Sequence, residues 1–133
     1  MPQTNTKKIV VAEDDVAMAE ITCHKLSSSG FNVRHAENGQ QAVDMVQNDP
    51  PDVLLLDLMM PELDGFQVLE KIRSNPNSKI ANLPVIVLSN LWSSQDILRV
   101  QSLKVDDFLV KAYFTPEEIL AKINNALQKR RNN

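Results

Sequence analysis

The chain has 133 residues, 43% of them hydrophobic and 23% charged, which fits one globular domain and excludes disorder as the global description. Fourteen Lys and Arg against 17 Asp and Glu leave a net charge of −3, without the basic footprint of a nucleic-acid binder. A single cysteine, Cys23, excludes an internal disulfide framework, and the polar start and short apolar runs predict neither signal peptide nor membrane span.

In chain order, an apolar run at 9–12 reads as a strand buried on both faces, ending in Glu13-Asp14-Asp15. Residues 17–28 form a weaker helical segment that Gly30 is placed to terminate. Residues 31–36 alternate apolar and polar, as an edge strand does. Ala42, Val43 and Val46 mark one helical face. The run 53–56 is a second buried strand, and Asp57 follows it. Phe66, Leu69 and Ile72 mark the next helix, and the strand 85–88 ends at Ser89. A fourth helix is predicted over 90–103, capped by Ser93 or Ser94. The fifth strand, 108–110, ends at Lys111. The last helix carries Leu120, Ile123 and Leu127 on one face. Thr115 can cap it, Pro116 suits its first turn, and Lys129-Arg130-Arg131 sit at its negative end. Strands alternating with helices predict one α/β domain over 1–133, a doubly wound parallel sheet with right-handed crossovers.

Ligands of open α/β sheets bind beyond the carboxyl ends of the strands. Here Glu13, Asp14, Asp57, Ser89 and Lys111 all follow apolar runs at those ends, so the acids, a hydroxyl and an ammonium should converge in one crevice. An acid after a strand is, taken alone, more often a cap or a solvated turn; four such strand ends together are not. Clustered carboxylates repel one another unless a cation intervenes. All-oxygen ligation with an incomplete protein shell suits Mg²⁺. A carboxylate beside Mg²⁺ and a lysine can attack phosphorus and form an acyl phosphate, with the hydroxyl donating to a phosphoryl oxygen.

Four segments, Ile9-Val10-Val11-Ala12-Glu13-Asp14-Asp15, the third-strand motif from Asp52 through Met60-Pro61-Glu62-Leu63-Asp64-Gly65, Val85-Ile86-Val87-Leu88-Ser89, and Asp106-Asp107-Phe108-Leu109-Val110-Lys111, resemble the receiver domain of two-component response regulators. The similarity spans about residues 7 to 128. It implies a five-stranded (βα)₅ sheet in the order 2-1-3-4-5, the order known for flavodoxin and for a chemotaxis member of this family. It also implies that Asp57 is the phosphoacceptor and that Mg²⁺ is held by Asp14, Asp57, the main-chain carbonyl of Met59 and, through water, Glu13. Ser89 matches the switch hydroxyl, Phe108 the aromatic switch and Lys111 the lysine that pairs with phosphoryl oxygens. Asp15 reads as a helix-terminal acid and Gly65 as a close-packing position. A receiver of this kind takes its phosphoryl group from a sensor histidine kinase or a phosphotransfer protein. It then changes the surface of its fourth helix, fifth strand and fifth helix toward a protein partner, and catalyses only its own phosphorylation and dephosphorylation. No direct nucleic-acid or membrane partner is implied, and a cytoplasmic location is.

The chain departs from the family's pattern in three places. Ala112 follows the lysine where the family usually has proline in a cis bond; before a non-proline residue that bond costs ~2.5–4 kcal/mol. The segment 112–116 is also one residue longer than the common form. Lys104 stands where the family often has glycine, and a left-handed backbone there would strain it by about 1 kcal/mol. Asn90 is bulkier than the usual residue after the switch hydroxyl and would narrow phosphoryl access. His24 and His35 read as surface or structural residues, and Cys23 as a helix residue without a redox role. Trp92 lies three residues past Ser89, in the loop expected to move. Leu91, Trp92, Ile97, Leu98 and Leu103 exceed what one helix face must bury, which suggests a partner surface.

Two rival functions are weaker. A Mg²⁺-dependent aspartyl-phosphate phosphatase of the haloacid dehalogenase type needs a second acid two residues after its nucleophile, and position 59 is Met. A flavodoxin-like electron carrier needs a glycine- and hydroxyl-rich phosphate loop after the first strand, where Glu13-Asp14-Asp15 would repel the phosphate.

Overall fold

The computed structural model describes residues 6–90 and 93–131. Along them run β1 (Lys8–Ala12), α1 (Val16–Ser28), β2 (Asn32–Ala36), α2 (Gly39–Asn48), β3 (Val53–Asp57), α3 (Gly65–Arg73), α4 (Ser78–Ala81), β4 (Val85–Ser89), α5 (Ser94–Ser102), β5 (Asp107–Val110) and α6 (Pro116–Arg131). The five strands are parallel and ordered β2-β1-β3-β4-β5.

Every residue of β3 and β4 is buried, which is why those strands are unbroken apolar runs rather than alternating ones. Alternate residues serve opposite faces. Val10, Leu54, Leu56, Val85 and Val87 pack with Val43 and Val46 of α2, Val68 and Leu69 of α3, and Val100 of α5. Ile9, Val11, Val53, Leu55, Ile86, Leu88 and Leu109 pack with Leu26 of α1 and with Ile119 and Ile123 of α6. β2 lies at an edge and is mostly half-buried, in keeping with its alternating sequence.

Caps set most helix boundaries. Asp15 accepts the Met18 N–H at the start of α1, and Gly30, at φ 101°, turns the chain out of it. Thr115 and Glu118 form reciprocal side-chain to main-chain bonds at the start of α6, at 2.9 and 3.1 Å. The helix predicted over 90–103 begins later. Ser93 is its cap, bonding reciprocally with Asp96, so Ser94 is the first helical residue. On α5, Leu103 just past its end packs on the core and Ile97 is half-buried, while Leu98 is 66% exposed. Leu91 and Trp92 lie outside the described residues. The short helix α4, capped by Asn77, was not expected from the sequence; it shifts the predicted fourth and fifth helices to α5 and α6.

Candidate functional site

Sheet register levels the strand ends. Ala12 pairs with Leu56, Asp57 with Leu88, and Ser89 with Val110. Glu13, Asp57, Ser89 and Lys111 therefore emerge at one edge, as the sequence led one to expect. Glu13, Asp57 and Ser89 are all buried there.

Lys111 Nζ binds both acids, 2.5 Å from Glu13 Oε1 and 3.0 Å from Asp57 Oδ2. The second oxygens are engaged by main chain: the Met59 N–H donates to Asp57 Oδ1 at 3.0 Å and the Asp15 N–H to Glu13 Oε2 at 3.1 Å. Burial pushes the Glu13 carboxyl up to about 7; the Lys111 ammonium opposes that rise and the neighbouring Asp57 adds to it. Burial alone would lower the Lys111 ammonium, but its bonds to Glu13 and Asp57 outweigh this and hold it above its ordinary value.

Carboxylate oxygens of Glu13, Asp14 and Asp57 lie within 4.8 Å of one another, with Asp14 exposed beside the two buried acids. Hard oxygen donors around a partly open position make this cluster compatible with a divalent cation. Met59 is 64% exposed, and Phe108 is half-buried against the core on the α2–α3 face. Gly65 stands where a Cβ would come within 2.6 Å of Leu58 Cα and 2.8 Å of the Asp57 carbonyl oxygen. Its N–H donates to the Leu58 carbonyl at 3.0 Å, so glycine here lets the start of α3 press against the strand end that carries Asp57.

Two contacts went unread in the sequence. His35, level with Val11 on β2, bonds through Nε2 to the Glu13 carbonyl at 2.7 Å, which fixes the main chain beneath that acid. The Ala112 N–H donates to Asn90 Oδ1 at 2.8 Å. The described residues contain no cis peptide, so Lys111–Ala112 is trans and Lys111 opens a 3₁₀ turn, Lys111–Tyr113. Lys104 does take the left-handed backbone, at φ 58°. His24 is exposed on α1, and burial raises the Cys23 thiol, which disfavours the reactive thiolate. A surface hollow lined by Ile21, His24, Lys25, Ser28, Thr115, Pro116 and Glu117 lies between α1 and α6 and contains none of the sheet-edge acids.

A family model described as "Response regulator receiver domain" matches residues 9–124. "Response regulator MprA" of Mycobacterium avium is 37% identical over 122 residues, covering 92% of this chain and 51% of that protein. "Probable transcriptional regulator ycf27" of Cyanophora paradoxa is 34% identical over 130 residues, covering 98% of this chain and 52% of that protein. The chain thus spans about half the length of these relatives. Among solved structures, the receiver domain of the Francisella response regulator 1452 superposes with a TM-score of 0.83 at 30% identity, covering 94% of this chain and 99% of that one. Matched over most of its length and carrying the acid cluster at the sheet edge, the chain belongs to the response regulator receiver domain family, whose members are signalling domains rather than enzymes acting on an external substrate.

Proposed function

We propose that Asp57 is the phosphoacceptor and takes its phosphoryl group from a phosphohistidine on a sensor histidine kinase or a phosphotransfer protein. The observation that carries this reading is Lys111 Nζ seated between Asp57 and Glu13 at the buried strand ends, with Asp14 alongside. An Asp57 carboxylate oxygen attacks phosphorus; its O–P bond forms as the N–P bond of the donor breaks, and the imidazole leaves with that electron pair and takes up a proton. Lys111 offsets the charge on the phosphoryl oxygens, and the Ser89 hydroxyl donates to one of them. Asp14, Asp57, the Met59 carbonyl and, through water, Glu13 would hold Mg²⁺, which when bound neutralises negative charge on the phosphoryl group. The domain so catalyses only its own phosphorylation and dephosphorylation. Ser89 and Phe108 then act as the switch, altering the surface of α5, β5 and α6 toward a downstream protein.

The receiver unit is taken as about residues 7–128, working in the cytoplasm without direct contact to nucleic acid or membrane. The phosphatase reading is disfavoured because the residue two past Asp57 is Met59, whose main-chain N–H faces the carboxylate and which has no acid to donate a proton. The test is labelling with acetyl phosphate and Mg²⁺. A hydroxylamine-sensitive label should form on the parent and be lost in Asp57→Asn or in the presence of EDTA; label persisting on Asp57→Asn would reject the assignment.

A further inference from the structure

Two residues just past neighbouring strand ends, Asn90 after β4 and Ala112 after Lys111, meet in this chain. The Ala112 N–H donates to Asn90 Oδ1 at 2.8 Å, a bond that proline at 112 could not make. The β4–β5 ladder has its last pair at Ser89 and Val110, so this bond ties the same two segments once more, one step beyond the sheet. β5 is an edge strand with β4 as its neighbour. The turn that follows it, Lys111–Tyr113, starts without a side-chain cap. Its Phe114 N–H reaches the Lys111 carbonyl only at 3.5 Å, and Tyr113 is 78% exposed. The backbone of Lys111 is thus lightly held just where its side chain must place Nζ between two buried carboxylates.

We propose that Asn90 is a positioning residue: by accepting the Ala112 N–H it fixes the backbone that carries Lys111 and keeps the ammonium in register with Asp57. Only the oxygen of the Asn90 amide can accept that N–H, so the bond also sets which way the amide points. Asn90 does more than occupy space beside the site: it takes part in placing a group whose usefulness depends on sub-ångström position. The inference rests on the reading of Asp57 as phosphoacceptor and of Lys111 as the cation that offsets phosphoryl charge.

The experiment is a double-mutant cycle on the full chain, reading the initial rate of acetyl-phosphate labelling at saturating Mg²⁺ by intact mass. Asn90→Ala should melt close to the parent and label more slowly, by roughly threefold to tenfold, the range one hydrogen bond of ordinary strength commands. On a Lys111→Ala background the same substitution should change the rate by less than about twofold, because the group it positions is gone. Should Asn90→Ala fail to fold, Asn90→Ser, whose oxygen sits on a shorter side chain, takes its place with the same expectation. A parent-like rate in Asn90→Ala, or an equal slowing on both backgrounds, overturns the inference while Asp57→Asn remains unlabelled. Label surviving on Asp57→Asn overturns the phosphoacceptor reading and this inference with it.

Discussion

Glu13 sets the electrostatics of the pocket. Its pKa rises from an ordinary 4.5 to about 7 in the fold, mainly because burial disfavours the charged form. Between those values the folded chain holds a proton that the unfolded chain has released. The stability this group contributes is therefore present below about pH 4.5 and is lost as pH rises toward 7. In metal-free buffer the urea midpoint of the parent should fall relative to that of Glu13→Gln between about pH 5 and about pH 7.5. Midpoints that stay parallel across that interval would show that Glu13 is not the titrating group. The acids themselves were legible in the sequence, because a charged residue directly after an apolar run must emerge at the strand end. The His35 bond to the Glu13 carbonyl was not, since the signal is a ring nitrogen meeting main chain across 22 residues, with no periodicity to announce it.

At the scale of elements, the guanidinium of Arg73 joins three of them at the end of α3. It donates to the carbonyls of Leu103 at 2.7 Å, Ala81 at 3.0 Å, Leu83 at 2.7 Å and Lys104 at 3.0 Å, tying the end of α3 to α4, the approach to β4 and the end of α5. Arg73→Ala leaves those carbonyls without their donor and should cost about 2–3 kcal/mol by urea unfolding. Arg73→Lys should recover only part, since an ammonium lacks the planar fork. Lys104 is the converse case: at φ 58° a side chain is strained, so Lys104→Gly should stabilise the chain by about 0.5–1 kcal/mol. A loss of stability would mean that Lys104 makes compensating contacts. The buried strands were readable to within a residue because total burial writes an apolar run. α4 was not, because four residues among Asn and Pro are too few to show a helical period. The start of α5 was placed early, at 90, although the sequence also offered the cap: Ser93 bonds reciprocally with Asp96, so Ser94 is the first helical residue.

For the whole molecule, the carboxylates of three residues from two strand ends come together only when the sheet is assembled, so anything that binds them binds the folded state alone. Mg²⁺ at ten times its Kd should add about 1.4 kcal/mol to unfolding, seen as a higher melting temperature. Asp14→Ala should remove most of that gain, and an unchanged parent melt at saturating Mg²⁺ would count against the metal assignment. Fold and acid cluster were both legible because alternating strands and helices force the strand ends to one edge. The Asn90–Ala112 bond was not, because it joins a side chain to main chain across 22 residues and depends on the path of a turn that the sequence left open. The proposed acyl phosphate forms on one carboxylate of this cluster, that of Asp57. Its most direct test is borohydride trapping after acetyl-phosphate treatment, which reduces an aspartyl phosphate to homoserine, followed by peptide mass mapping. Homoserine at position 57, with Glu13 and Asp14 unaltered, is the result predicted; label trapped at Glu13 or Asp14 with Asp57 intact would contradict it.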